Sequence, residues 1–232
     1  MAKSDQLRHI HDSMILNGKS KHEDEQIKEI VEVLIDDLQD EFRVNLAWEK
    51  KILLTDIINT LHDAFPDVDF AVPEKMTSFM TPDGGITYMI AKDGSAFPIL
   101  IGEVKNQGTN DKRAREGLKR QAQGNAVERL GKNVIGFRTY MLQESIFPFV
   151  CFGDGCDFER GSSILDRVLT IAEFGALNTD HTYNVGPFNR GSYYFRDREW
   201  TAEEIYDILY DVAKKSIYYY FAKYGDDTFK EG

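Results

Sequence analysis

The stretch Pro82-Asp83-Gly84-Gly85-Ile86-Thr87-Tyr88-Met89-Ile90-Ala91-Lys92-Asp93-Gly94-Ser95-Ala96-Phe97-Pro98-Ile99-Leu100-Ile101-Gly102-Glu103-Val104-Lys105 decides how the rest of the chain is read. Two apolar β-type runs, 86–91 and 96–104, flank Lys92-Asp93-Gly94-Ser95, whose composition is that of a turn, so the stretch predicts a β-hairpin. Side chains alternate along a strand, which puts Glu103 and Lys105 on one face, and an antiparallel partner brings Asp83 next to them. Two carboxylates and one ammonium then share a small volume.

That arrangement suits a hard, oxygen-seeking cation such as magnesium, with positions left for water and phosphate. The cation would neutralise charge on a phosphodiester and lower the pKa of an attacking water, while Lys105 holds that water or helps deprotonate it. Hydrolysis by in-line attack is the reaction implied. Alone, an aspartate followed by Glu-x-Lys equally describes a turn aspartate and a surface strand of alternating charge. Two details favour the chemical reading. Phe97-Pro98-Ile99-Leu100-Ile101-Gly102 is apolar right up to the charged residues, so Glu103 and Lys105 stand at the end of a core strand. The window that follows is basic: residues 103–138 hold Lys105, Lys112, Arg113, Arg115, Lys119, Arg120, Arg129, Lys132 and Arg138 against Glu103, Asp111, Glu116 and Glu128. A solvated helix face would also carry such a run.

Further out, Ile27, Ile30, Val31, Leu34, Ile35 and Leu38 recur at helical spacing and predict a helix over 25–42. Ile57, Ile58, Leu61 and Phe65 predict a second over 55–65, stopped by Pro66. A helix is expected across the basic window, then a buried strand over 147–152. Thr201-Ala202-Glu203-Glu204 fits a capping box, and Ile205, Ile208, Leu209 and Val212 continue a helical stripe towards Tyr219. Residues 178–198, with glycine, proline and asparagine and no clear period, read as a long loop, and 1–24 as a mobile polar arm. The expected class is α/β, a mixed central sheet flanked by helices, in one domain over 1–232.

The chain has 232 residues, 42% of them hydrophobic, enough for one sizeable core. No apolar run approaches the roughly 20 residues of a membrane span, and Met1 to Lys21 carry no apolar signal region. A cytoplasmic protein without membrane association is expected. Cys151 and Cys156 have no neighbouring histidine and read as reduced structural thiols. The net charge of −11 argues against a polyanionic partner at first sight. The clustering of bases in 103–138 counters it.

At these residues the chain resembles the PD-(D/E)xK nucleases and, within them, the EcoRI-type restriction endonucleases. The nuclease motif reads Pro82-Asp83 followed by Glu103-Val104-Lys105. The narrower match lies in Glu103-Val104-Lys105-Asn106-Gln107-Gly108, where the family carries Glu-Ala-Lys-His-Gln-Gly. It continues in Gly124-Asn125-Ala126-Val127-Glu128-Arg129, where the family carries Gly-Asn-Ala-Ile-Glu-Arg. Likeness extends to Met141 through Pro148, to Leu165-Asp166-Arg167 and to Arg198-Glu199-Trp200, so that ordered matches run from about Pro82 onwards.

The resemblance implies a type II restriction endonuclease with a PD-(D/E)xK core, magnesium as cofactor and double-stranded DNA as substrate. Asp83, Glu103 and the carbonyl of Val104 would be the metal ligands and Lys105 the catalytic lysine. Asn125, Ala126 and Arg129 would read an AATT centre, with Glu128 cross-linking the two recognition elements. Base chemistry agrees: asparagine pairs with adenine N6 and N7, arginine bridges base acceptors, and alanine admits a thymine methyl. An ordinary asparagine cap and surface Glu-Arg pair is the plainer account of the same motif. Gln121 stands where the family has methionine, and Ile164 where it has an arginine three residues before Arg167. Both positions concern the outer base pairs, which leaves the flanking specificity open. Glu49 is the nearest equivalent of an acidic helper that the family supplies upstream.

A palindromic site read by one small domain implies a two-fold homodimer, with 178–198 as a DNA-wrapping or dimer-related arm. A cognate DNA methyltransferase would protect host DNA in the same restriction-modification system. Another PD-(D/E)xK nuclease, for repair or structure-specific cleavage, would keep the metal site without base specificity. A non-catalytic DNA-binding protein would have no reason to gather Asp83, Glu103 and Lys105. No phosphate-binding Gly-x-x-x-x-Gly-Lys-Ser/Thr loop or dinucleotide fingerprint is present.

Overall fold

A computed structural model describes residues 23–106, 114–119, 124–172, 177–182 and 189–230. The predicted hairpin is its centre. Strand β4 (Gly85–Ile90) pairs antiparallel with β5 (Ala96–Asn106). The turn between them closes through Ala91 N donating to Ser95 O at 2.8 Å and Ser95 N donating to the Asp93 side chain at 2.9 Å. On the outer side of β4 lies β1 (Asn45–Glu49), antiparallel. On the other side of β5, β6 (Phe149–Asp154) and then β7 (Ser192–Phe195) run parallel. The five strands stand in the order β1-β4-β5-β6-β7, and a small second sheet joins β2 (Ile52–Leu53) to β3 (Phe79–Met80). This is a mixed α/β architecture, and β5 is its middle strand: antiparallel to one neighbour, parallel to the other.

Helices cover both faces. Helix α1 (Glu23–Phe42) turns Ile27, Ile30, Val31, Leu34 and Leu38 inward, all nearly inaccessible to solvent. They meet the buried stripe of the C-terminal helix α5 (Ala202–Tyr224), which includes Leu209, Val212, Ala213 and Ile217. A polar seam beside that contact joins Tyr206 to Asp37 at 2.6 Å and Lys214 to Glu41 at 2.8 Å. Across the sheet lie α2 (Leu54–Ala64), α3 (Gly124–Tyr140) and α4 (Ser163–Ala172). Helix α3 buries Leu130, Val134 and Phe137, and Phe137 stacks on Phe149 of β6. No helix among the described residues is long and apolar enough to cross a membrane.

Several expected boundaries change. Of the helix expected across the basic window, the described residues show Ala114 and Arg115 helical, a turn through Gly117 at φ 68°, and α3 from Gly124. Lys112, Arg113 and Arg120 lie outside the described residues. The stretch 178–198, expected to be a loop throughout, contains β7. Its Ser-Tyr-Tyr-Phe is almost wholly buried, as a parallel strand covered on both faces is, and so lacks the alternation that marks half-buried strands. Asn178 is bound to this strand, its N–H donating to Tyr193 O at 2.7 Å and its side chain accepting from Phe195 N at 3.0 Å. Residues 183–188, the middle of the expected arm, lie outside the described residues, as do 1–22 of the expected N-terminal arm; α1 begins at Glu23. Cys151 is buried and Cys156 half-buried, and neither forms a disulfide.

The capping box at α5 is present and extended. Thr201 Oγ1 accepts from Glu204 N at 3.2 Å, and Glu204 accepts from Thr201 N at 3.1 Å. Glu204 also pairs with Arg196 and, at 2.8 Å, with Arg198, while Arg196 lies 3.4 Å from the Trp200 ring centroid. The cluster fastens the end of β7 to the start of α5. Hydrogen bonds from Arg196, joined by those from Arg198 and Thr201, hold the Glu204 carboxyl well below the usual carboxylate range against a small burial penalty. Glu204→Gln is expected to lower stability by about 1 kcal/mol, since solvent screening limits a carboxylate this exposed. A depressed pKa contributes stability above the unfolded value of about 4.3, and that contribution is lost as pH falls through the folded value. Urea titrations at neutral and strongly acidic pH should therefore show the two proteins converging on acidification; a constant gap would contradict this role.

Candidate active site

Asp83 sits in the turn that leads into β4, and Glu103 and Lys105 sit where β5 runs past the start of β4. The antiparallel ladder ends there, with Gly84 N donating to Gly102 O at 2.9 Å. Beyond it, side chains replace ladder partners. Val104 N donates to Asp83 Oδ2 at 3.1 Å, and Asp83 N donates to Glu103 Oε2 at 3.2 Å. Each acid accepts a main-chain N–H from the other's strand, a reciprocal lock that fixes both carboxylates. The side of β5 towards β6 keeps its parallel pairing through Asn106.

Lys105 closes the cluster. Its Nζ touches Glu103 Oε1, Asp83 Oδ2 at 3.4 Å and Val104 O at 3.1 Å. Glu103 is 1% exposed and Lys105 17% in their side chains, while Asp83 is more open at 27%. A further donor reaches Glu103 from α3: Asn133 Nδ2 lies 3.0 Å from Oε1. Burial raises the pKa of Glu103, as does Asp83, and the Lys105 charge opposes both. For Lys105, burial acts to lower the pKa, but the charges of Glu103 and Asp83 outweigh it and keep the side chain an ammonium. The Cys151 thiol, on the neighbouring strand, is pushed well up by burial and stays neutral.

The same geometry tests whether a hard cation fits. Three oxygens of different origin, two carboxylate and one main-chain, already converge on a single positive nitrogen. Such a donor set matches magnesium or calcium and not a soft metal. No group of three or more His, Cys, Asp or Glu able to hold a metal occurs among the described residues, so an ion here draws its other ligands from main chain and solvent.

Two apolar side chains pack on the acidic turn. Ile27 of α1 lies against Gly84 and Gly102; a Cβ on either glycine would come within 3.1–3.2 Å of its Cδ1. The Trp48 indole of β1 covers Gly85, which has φ 75°, and donates from Nε1 to Gly84 O at 2.9 Å. A Cβ on Gly85 would collide with that indole.

The remaining expected residues divide. Asn125 and Ala126 lie in the first turn of α3, and Glu128 and Arg129 follow on its exposed side. Arg167 is exposed on α4. Gln121 lies outside the described residues. Glu49 is exposed at the end of β1, with no hydrogen bond or ion pair to Asp83, Glu103 or Lys105 among the described residues. Two contributors were not singled out from sequence. Asn133 carried a signal, since it continues the four-residue steps Asn125 and Arg129 along one helix stripe. Trp48 carried none, because its role depends on strand register.

Comparison with known proteins adds an independent line. The family model described as Restriction endonuclease EcoRI matches residues 11–168. The type II restriction enzyme RsrI of Cereibacter sphaeroides is 28% identical over 69% of this chain and 79% of its own length. The type II restriction enzyme EcoRI of Escherichia coli is 27% identical over 88% of this chain and 87% of its own.

Replacing Gly85 by alanine is expected to cost roughly 2–4 kcal/mol, from left-handed backbone strain and the collision with Trp48. In the double variant Gly85→Ala/Trp48→Ala the collision is gone, so the losses should sum to less than the two single changes. Chemical denaturation of all four proteins measures this; strict additivity would show that the indole does not constrain the turn.

Proposed function

The chain belongs to the EcoRI restriction endonuclease family, and on that premise we propose that it cuts double-stranded DNA at a short AATT-centred palindrome with magnesium at Asp83, Glu103 and the Val104 carbonyl. It is a type II restriction endonuclease, a site-specific deoxyribonuclease. The observation that carries the metal reading is the convergence of those three oxygens on one cation, the Lys105 ammonium. When bound, magnesium would supply Lewis acidity towards a water and the scissile phosphate. Asp83 and Glu103 keep the anionic cradle, and the reciprocal main-chain bonds fix their spacing. Lys105, an ammonium with three donors and no acceptor, holds the attacking water or a phosphate oxygen.

Base reading falls to the start of α3. Asn125 pairs with adenine, Ala126 meets a thymine methyl and Arg129 bridges base acceptors, with Glu128 joining the two recognition elements. Arg167 and Gln121 act towards the flanks, and Ile164 stands where the family has an arginine. The outer pair is accordingly left open. Two copies related by a two-fold axis would each read a half-site and cut one strand. Such an enzyme works beside a methyltransferase that protects the same sites, in the cytoplasm. Glu49 has no role in this scheme beyond the end of β1.

Run-off sequencing of DNA digested with magnesium tests the proposal. Discrete ends at one AATT-containing palindrome are expected, with Glu103→Ala and Lys105→Ala each slowing cleavage by at least about 10²-fold. Ends without AATT enrichment would refute the specificity and leave a nuclease of the same fold. Binding without any cleavage would refute the catalytic assignment.

A further inference from the structure

We infer that Asn133 is a positioning residue that couples the seating of α3 on DNA to the aim of the Glu103 carboxylate, so that cutting depends on a correctly read site. The inference rests on the reading that α3 carries the base readers and that Glu103 holds the metal.

Among the described residues, Glu103 receives three donors. Two, Asp83 N and Lys105 Nζ, come from the hairpin and its leading turn, which the reciprocal main-chain bonds tie together. The third, Asn133 Nδ2 at 3.0 Å, comes from α3. At 1% exposure, Glu103 has little access to bulk water that would replace a lost donor. Asn125, Arg129 and Asn133 are spaced four residues apart, so they lie on one slowly drifting stripe that spans about 12 Å. Between and beyond them, Leu130, Val134 and Phe137 are buried against the core, so the helix shifts as one body along that stripe.

A helix that shifts as one body transmits position. Bases that accept Asn125 and Arg129 keep the helix where its Asn133 amide already meets Glu103 Oε1. Bases that do not accept them pull α3 off that seat, and a hydrogen bond weakens steeply with such a shift. Glu103 then loses the donor that sets its orientation. Supporting hydrogen bonds to metal ligands govern activity to a similar degree in other enzymes.

The test uses the full chain, an AATT-centred duplex and duplexes with one central base pair changed. Affinity is measured in EDTA, and single-turnover cleavage in magnesium. Asn133→Ala is expected to slow cognate cleavage by about 10- to 100-fold while cognate affinity stays within about threefold. Cleavage of the altered duplexes should fall much less, so discrimination in cutting shrinks although discrimination in binding does not. Asn133→Gln, which retains the amide, should recover most of the cognate rate. Alanine is the better helix former, so α3 persists, and thermal melting monitors it. A cognate rate for Asn133→Ala within about threefold of wild type, or equal losses on cognate and altered duplexes, would overturn the coupling and leave the proposed function standing. Wild-type protein that cuts none of the duplexes would overturn the nuclease reading, and the coupling with it.

Discussion

The structure depends on satisfying one buried carboxyl group. Glu103 lies in the middle strand of the central sheet, at a depth where an unpaired charge would cost several kcal/mol or simply be neutralised. Burial does push its pKa up, and what opposes that push is local: the Lys105 ammonium and hydrogen bonds from Asp83 N and Asn133. None of these partners is useful unless the turn before β4 and the end of β5 are held in register. The absence of side chains at Gly84 and Gly102 admits Ile27 of α1, and Gly85 admits Trp48. The glycines of Pro82-Asp83-Gly84-Gly85 are thus packing constraints as much as turn formers.

Much of this architecture was legible because its driving pattern is local. Helix α1 and helix α5 bury a stripe at three- and four-residue spacing, and the β4–β5 turn carries Asp93 and Gly94 where the turn needs them. Strand β7 was not legible for a physical reason: Tyr193 and Phe195 pack on β6 while Ser192 is buried as well, so no polar face alternates with an apolar one. Strand β1 shares this difficulty in milder form. Strand β1 is five residues long and ends in exposed Trp48 and Glu49, which local patterning reads as surface.

The candidate site shows the same division between local and distant causes. Asp83, Glu103 and Lys105 follow from strand alternation and hairpin pairing, and their proximity could be argued before any coordinates existed. Glu49 could not be placed that way, because the position of β1 against β4 is a matter of register, and the structure leaves it exposed without a bond to the cluster. Asn133 lies thirty residues from Glu103 in the chain. Only the packing of α3 against the sheet brings the two together.

Charge shows why a net figure misleads. Helix α1 carries nine acidic residues, Glu23, Asp24, Glu25, Glu29, Glu32, Asp36, Asp37, Asp40 and Glu41, against Lys28 alone. Its Ile27 packs on Gly102, whereas Asn133 of α3 bonds to Glu103, and neighbouring residues of a strand point to opposite faces. The acidic helix and the helix with exposed Arg129 and Lys132 therefore cover opposite faces of the sheet. A polyanion approaching the molecule meets repulsion on one face and attraction near the other, separated by more than a screening length of about 8–10 Å. A field of that polarity turns a polyanion towards the face that α3 covers.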